Sequence, residues 1–264
     1  QLAPLEETAA AATAMGHDHH VLTARELRRR VDSPSYLGGS FDPTGVALVD
    51  PARLAWGLRD ACLAMGVRLF ERTPVRDLSP REGHVMAMCR RGIVRADRVA
   101  LATNAFPPLL NRLRHYVVPV YDYVLVTEPL TDTQWSTVGW SGREGVSDAG
   151  NQFHYYRTTD DGRILWGGYG AVYHPGNGFG PQFEHSRDSY ERLAEHFLQT
   201  FPLLEGIRFS HAWGGAIDTC SRFSAFWGTA HSGRTAYVAG YTGLGVGASR
   251  FGAATMLALT LAGQ

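Results

Sequence analysis

Four glycines near the end of the chain offer the clearest chemistry. Gly240, Gly243, Gly245 and Gly247 fall in the run Gly-Tyr-Thr-Gly-Leu-Gly-Val-Gly. Glycine leaves a backbone N–H free of a shielding Cβ, so a planar ring or a pyrophosphate can approach it closely. Free N–H groups at the start of a helix carry partial positive charge and bind anions or electron-rich carbonyl oxygens. The flanking elements suit that use. Tyr237-Val238-Ala239 reads as a short buried strand, and Ala248 to Ala262 as a helix with Gly263 as its stop. The run is G-x-G-x-G and lies near the C-terminus, so it is not the G-x-G-x-x-G of a first βαβ unit.

Other reactive groups are sparse. His17, Asp18, His19 and His20 sit close together. Neighbours on a strand point opposite ways, and no distant cluster completes a metal shell, so a solvated loop and no metal are expected. Cys62, Cys89 and Cys220 are odd in number with no C-x-x-C spacing, which fits a reducing, cytoplasmic setting. The chain has no lysine; its 25 Lys+Arg residues are all arginine. A Schiff-base lysine and a Walker A lysine are therefore excluded. The formal net charge is zero, with no basic stripe for nucleic acid, and no apolar run spans a bilayer.

The elements that must position these groups fall into two textures. Asp50-Pro51 opens a helix whose Leu54, Leu58, Ala61, Cys62 and Met65 share one face, with Gly66 at its end. Thr23-Ala24-Arg25-Glu26 has the capping-box form and opens a helix over Ala24 to Val31. Val67 to Phe70 reads as a short strand. His84 to Cys89 with Gly92 to Arg95 reads as a hairpin-like pair, and Arg98 to Leu101 as a buried strand running into Ala102-Thr103-Asn104. Ligands gather outside such carboxyl ends in open α/β sheets. From Pro107 to Gly233 aromatic and β-branched residues dominate. Strands are expected over Tyr116 to Thr127, Phe153 to Arg157, Arg163 to Gly168 and Phe209 to Trp213, with a helix over Glu184 to Thr200.

Six blocks then carry a likeness, in order: V-D-P-A-R-L-A-W-G-L (49–58), G-V-R-L-F-E-R-T-P-V (66–75), V-A-L-A-T-N-A-F (99–106), Y-Y-R-T-T-D-D-G-R-I-L-W-G-G (155–168), W-G-G-A-I-D (213–218) and G-Y-T-G-L-G-V-G (240–247). The chain resembles the FAD-dependent oxidoreductases of the D-amino-acid-oxidase superfamily, in particular γ-glutamylputrescine oxidoreductases and sarcosine-oxidase-like amine oxidases. The resemblance implies an α+β fold: an α/β FAD-binding layer, incomplete as an FAD/NAD(P)-binding fold, plus an antiparallel-sheet substrate domain. It implies FAD-binding portions at 48–106 and 234–264, a substrate domain at 107–233, and a connecting segment at 1–47.

The resemblance also implies roles. The backbone at Val75 would meet the adenine, and Ala102, Thr103 and Asn104 would lie near the cofactor. Gly240 would belong to the same turn, and Gly243, Leu244, Gly245 and Val246 would present N–H groups to the flavin's pyrimidine carbonyl. Tyr155, Tyr156 and Arg157 are the pocket candidates, Tyr155 and Arg157 on one strand face and Tyr156 on the other. His154 is the candidate proton acceptor; no other acid or base suggests itself. The arginine that grips carboxylate in amino-acid-oxidising members has Ala216 at its place. Cys220 sits a turn too late for the covalent flavin link of sarcosine oxidases. Non-covalent FAD and a small amine or N-substituted amino substrate are expected, oxidised by hydride transfer from the carbon next to nitrogen. The alternatives are a non-catalytic remnant of such an enzyme and, less well supported, an NAD-dependent dehydrogenase.

The family's pyrophosphate-gripping G-x-G-x-x-G unit and ribose-binding acid are not in this sequence; in full-length members they precede the equivalent of Gln1. Such a segment would be the natural intramolecular partner, and without it the sheet is expected to expose an edge and an apolar face. The expected outcome is that this chain, made alone, holds FAD weakly or not at all. Tight, stoichiometric retention after reconstitution with free FAD would refute this.

Overall fold

The computed structural model describes residues 3–261. In chain order the regular elements are α1 (Ala3–Ala14), β1 (His20–Thr23), α2 (Ala24–Arg28), β2 (Gly38–Phe41), α3 (Pro51–Ala64), β3 (Val75–Arg81), β4 (His84–Cys89), β5 (Gly92–Ala96), β6 (Val99–Leu101), β7 (Val118–Thr127), α4 (Asp132–Val138), β8 (Val146–Ser147), β9 (His154–Thr158), β10 (Ile164–Gly168), β11 (Val172–Tyr173), α5 (Arg187–Thr200), β12 (Phe209–Thr219), β13 (Phe226–Ala230), β14 (Thr235–Ala239) and α6 (Gly245–Leu261). The fold is α+β. The chain divides into two compact units, one of residues 1–49, 122–171 and 185–214, the other of residues 50–121, 172–184 and 215–264.

The first unit is built on antiparallel strands in the order β7-β10-β9-β8. Trp166 faces Leu125 on one side and Tyr156 on the other, and Tyr156 faces Val146. The hairpin between β9 and β10 turns through Gly162 at φ 78°. Alternation along β9 buries His154, Tyr156 and Thr158 and leaves Tyr155 and Arg157 half-buried. Helix α5 is capped by the Ser186 side chain, which accepts from Ser189 N, and buries Ser189, Leu193 and Phe197 at helical spacing. Trp166 ends up 1% exposed. Its ring lies 4.5 Å from those of His154 and Tyr156, 5.6 Å from Phe197 and 6.2 Å from Phe201. The Tyr156 hydroxyl meets that of Tyr36 at 2.7 Å.

His154 belongs to this buried layer. Both its Nδ1 and its main-chain N–H lie against Asp148 Oδ2, at 2.7 and 3.0 Å. An ionised carboxylate only accepts, so Nδ1 carries a proton, and Nε2 lies 3.0 Å from His196 Nδ1. Burial alone would push the Asp148 carboxyl up; the two bonds from His154 outweigh it and hold the group below its ordinary value.

In the second unit β3, β4 and β5 form an antiparallel meander, with Gly83 at φ 76° in its first turn. A separate sheet runs β13-β14-β6, with β14 parallel to β6 through Thr235–Val99, Ala236–Ala100 and Tyr237–Leu101. Leu78, Val85, Leu101, Leu110 and Leu113 form one core cluster. Ala236 and Val238 of β14 pack with Met256 of α6 in another. Asp50 Oδ1 accepts from Ala52 and Arg53 N at 2.9 and 3.0 Å, and Pro51 occupies the first turn of α3. No residue of α3 is buried: Leu54 is 42% and Leu58 60% exposed.

Several boundaries differ from the sequence reading. The capping box at Thr23 and Glu26 forms, but α2 ends at Arg28 rather than Val31. Val67 to Phe70 is not a strand; it forms no ladder with any strand among the described residues. α6 starts at Gly245, three residues before the expected Ala248, so two of the glycines are inside its first turn. Its expected last residue, Ala262, and its expected stop, Gly263, lie outside the described residues. β12 continues to Thr219, well past Trp213.

Two outcomes are expected. Trp166→Ala is expected to cost about 3–5 kcal/mol. Trp166→Phe is expected to cost far less, because the indole Nε1 has no hydrogen-bond partner to lose. Equal losses in urea denaturation would contradict this. A carboxyl depressed by folding contributes stability that is fully present above its unfolded pKa and lost as pH falls through the folded value. Asp148→Asn is therefore expected to lower Tm at pH 6, with the gap to wild type closing in acid, as the pH falls below the ordinary aspartate range. A gap independent of pH would mean that the carboxylate charge is not what matters.

Candidate functional site

Two local arrangements carry the candidate chemistry, one in each unit. In the second unit, parallel β6 and β14 end on the same side. Ala102-Thr103-Asn104 therefore leaves the sheet next to Gly240-Tyr241-Thr242-Gly243. A cavity of about 560 Å³ opens there, lined by Thr103, Asn104, Arg114, His115, Phe179 and Ala239 among others. Asn104 is held at φ 49°, a left-handed conformation that asparagine tolerates.

Asp218 shapes the glycine turn. Its Oδ2 accepts from Gly240 N at 2.7 Å and Tyr241 N at 3.2 Å, and its carbonyl accepts from Thr242 N at 3.1 Å. The side chain is 3% exposed; burial raises its pKa, and the amide bonds oppose that rise. Gly240 stands at φ 77°, and a Cβ there would lie 2.9 Å from Cys220 Sγ and from the Phe226 ring. Only glycine fits.

Gly243 is different. It also has positive φ, 88°, but a Cβ there or on Gly247 would meet nothing within 4 Å. These glycines are not needed to pack the chain against itself. Leu244 N donates to Tyr241 O at 3.0 Å and Ala248 N to Leu244 O at 3.1 Å. The amides of Gly243, Gly245, Val246 and Gly247 have no main-chain partner among the described residues. Leu244 and Val246 are 67% and 58% exposed. The structure thus presents a row of free donors at the start of a 17-residue helix.

Val75 is not brought to this place. It opens β3 opposite Cys89, on the antiparallel meander, and does not line the cavity. Cys220 is buried, its Sγ against the Ser224 and Gly240 carbonyls at 3.3 and 3.5 Å, and acts in packing.

The first unit offers the half-buried face of its main sheet. Tyr155 and Arg157 share that face, as expected from alternation. Tyr155 lies across Gly167: a Cβ on Gly167 would come within 2.8 Å of the phenol ring and hydroxyl. The Tyr155 hydroxyl donates to Asp122 Oδ2 at 2.8 Å, and Asp122 Oδ1 accepts from Tyr123 N at 2.9 Å. Burial pushes the Asp122 carboxyl up, against these bonds. Burial likewise raises the Tyr155 phenol, and the Asp122 charge adds to it.

Two of the candidates lie elsewhere. Tyr156 and His154 both point to the helix-covered side, 2% and 7% exposed. Their partners are Tyr36 and the Asp148–His196 pair, so neither shares the face of Tyr155 and Arg157. The His17–His20 stretch divides its partners, His19 with Asp42 at 3.5 Å and His20 with Asp18 at 3.0 Å. Among the described residues no group of three or more potential ligands could hold a metal. No helix among them is long and apolar enough to cross a membrane. Two residues escaped the sequence reading. Asp218 closes the W-G-G-A-I-D block, and its signal was an acid ending an apolar strand. Asp122 interrupts the alternating run of β7, an acid where its neighbours are apolar or aromatic.

Comparison with known proteins bears on the chain as a whole. A family model described as FAD dependent oxidoreductase, DAO, matches residues 1–259. The chain is 32% identical over 260 residues to gamma-glutamylputrescine oxidoreductase of Escherichia coli, covering 93% of this chain and 55% of that protein. It is 30% identical over 230 residues to the probable oxidoreductase OrdL of Haemophilus influenzae, covering 84% of this chain and 49% of that one. The chain thus spans about half the length of the curated relatives it matches. Among solved structures, glycine oxidase from Geobacillus kaustophilus superposes with a TM-score of 0.79 at 19% identity, over 97% of this chain and 66% of that one. L-proline dehydrogenase from P. horikoshii gives 0.78 at 18%, over 96% and 67%. With its glycine turn, its parallel β6–β14 pair and a match over nearly its whole length, the chain belongs to the DAO family of FAD-dependent oxidoreductases.

Proposed function

We propose that this chain is the FAD-contacting and substrate-contacting part of an oxidoreductase that oxidises the C–N bond of an amine or N-substituted amino compound. The observation that carries the reading is the row of free amides at Gly243, Gly245, Val246 and Gly247, set by the Asp218 clasp. The residues fit the cofactor: Gly243 and Gly247 are open on the side where a Cβ would stand. Gly243, Gly245 and Val246 would donate to a flavin carbonyl oxygen, whereas the Leu244 amide, expected to join them, is taken by Tyr241 O; Thr103 and Asn104 would border the ring. Donors fixed before reaction stabilise charge as it develops and need no reorganisation. Bound FAD would supply the acceptor for the hydride leaving the carbon next to nitrogen, and water would hydrolyse the imine product. Cys220 is sealed in packing, which supports non-covalent attachment.

On the substrate side the reading rests on Tyr155 and Arg157. Their shared sheet face offers a phenol and a guanidinium, and no neutral imidazole. His154 is turned away and already spends both ring nitrogens, so we assign it a part in holding the sheet and none in proton transfer. A neutral amine needs no base to lose hydride, so the reading does not depend on one; the carboxylate on this face, Asp122, is engaged by the Tyr155 hydroxyl.

Gly243→Val would put a β-branched side chain at positive φ and over the open side of the turn. It is expected to weaken FAD binding at least about tenfold, with far-UV circular dichroism unchanged. Asp218→Asn, which removes the charge that accepts two amides, is expected to lose a similar amount, about 1.5–3 kcal/mol. Quenching of FAD fluorescence reads both. Loss of flavin colour on adding amines under nitrogen reads the chemistry. Variants that bind FAD like the wild type would overturn the role of the turn; bound flavin that no amine bleaches would overturn the reaction.

A further inference from the structure

A second cavity, about 1120 Å³, opens in the first unit and is bordered by α1, β1, β2 and β8. All the residues that border it belong to that unit. Tyr156 is one of them, so the cavity lies on the opposite face of β9 from Tyr155 and Arg157. Leu22, Leu27, Phe41 and Val146 give it apolar walls. Arg30 is the one cation on its border among the described residues, and it is already engaged. Its Nη1 donates to Glu144 Oε1 at 3.0 Å, and its guanidinium lies 3.9 Å over the Phe41 ring. Two carboxylate oxygens on the border stay unfilled. Glu144 Oε2 is buried without a hydrogen-bond partner. Asp148 spends Oδ2 on the main-chain and ring N–H groups of His154, and no bond reaches its Oδ1 among the described residues. An acceptor kept from water without a donor is costly until a donor arrives.

We propose that this cavity binds an organic cation, an ammonium carried on an apolar body, at a site separate from the flavin and substrate faces. The head donates to Asp148 Oδ1, and the body lies against Leu22, Leu27 and Phe41. The sign of the charge follows from the border: its cation is spent on Glu144, and its unfilled groups only accept. The apolar body follows from the walls. A bare metal ion would leave them unused, and no group of three potential ligands among the described residues could hold one. The Tyr36 and Tyr156 hydroxyls, 2.7 Å apart, border the same space and offer oxygen lone pairs to a second ammonium N–H. Burial raises both phenols, and the Asp148 charge reaches each of them and adds to the rise, which puts carboxylate and hydroxyls in one neighbourhood. Occupying Oδ1 draws on the same carboxylate that holds the first residue of β9 through Oδ2, so a bound cation is felt at His154.

The test is calorimetric titration of the flavin-free chain at pH 7 with 2-phenylethylammonium, its neutral analogue 2-phenylethanol, the anion 3-phenylpropanoate and the small cation methylammonium. 2-Phenylethylammonium is expected to bind at least about tenfold more tightly than any of the other three. Asp148→Asn is expected to reduce it to the level of 2-phenylethanol. Asp122→Asn, which changes the carboxylate on the opposite face of the sheet, is expected to leave it unchanged. In wild type the main-chain amide resonance of His154 is expected to move on saturation with 2-phenylethylammonium and to stay in place with methylammonium at the same concentration. Equal binding of the ammonium and the alcohol, no binding of the ammonium, or a His154 amide that does not respond would each overturn the proposal. So would loss of binding in Asp122→Asn with retention in Asp148→Asn, which would put the ammonium on the other face. The ligand series in wild type needs no variant, so an Asp148→Asn chain that fails to fold leaves the test intact. No flavin is present, so failure here leaves the oxidation reading standing, and bleaching of flavin by amines does not by itself support this site.

Discussion

The clasp between one buried carboxylate and two successive amides governs the second unit's chemistry. Asp218, the penultimate residue of β12, takes the N–H groups of Gly240 and Tyr241 just after β14 ends. Those amides would otherwise be unpaired at a sharp reversal, and the carboxylate would otherwise be buried without a partner. Each defect cancels the other. The clasp then dictates the local path of the chain: Gly240 and Thr242 go to positive φ, Gly243 reverses direction, and α6 begins at Gly245. The free amides are a by-product of that geometry.

The first unit separates support from recognition by the simplest device available to a strand. Alternate residues of β9 go to opposite faces. His154 and Tyr156 enter an aromatic layer with Trp166, Phe197 and Phe201, where stacking and two hydrogen-bonded pairs fix them. Tyr155 and Arg157 are left on the other face, where the Tyr155 hydroxyl donates to Asp122 and the Arg157 side chain has no polar contact among the described residues. Rigid backing and unfinished polar groups on one strand are what a binding surface needs.

Much of this was legible in the sequence, for reasons that differ by element. The start of α3 was clear because Asp50 and Pro51 act locally, and the structure shows the cap. The facing of Tyr155 and Tyr156 followed from the period of a strand. The glycine turn was readable because glycine takes the left-handed conformations that Gly240 and Gly243 adopt between β14 and α6. The misses share a cause. Val67 to Phe70 has strand composition, yet a strand needs a neighbour, and composition does not report one. α6 starts early because Gly245 and Gly247 are poor helix formers in isolation, while packing of Met256 on Ala236 and Val238 holds the helix. Asp218 and Asp122 act through residues 22 and 33 positions away, a pairing no local pattern encodes. His154 looked reactive by adjacency alone; its partners Asp148 and His196 come from the loop before β9 and from α5.

The closeness of Tyr155 to Gly167 gives the missing side chain at 167 a role of its own. Any methyl there would stand 2.8 Å from the phenol and 2.9 Å from a Val124 methyl, so the ring would have to shift and with it the hydroxyl that donates to Asp122. A position with no side chain thus sets the aim of a hydroxyl carried by the neighbouring strand.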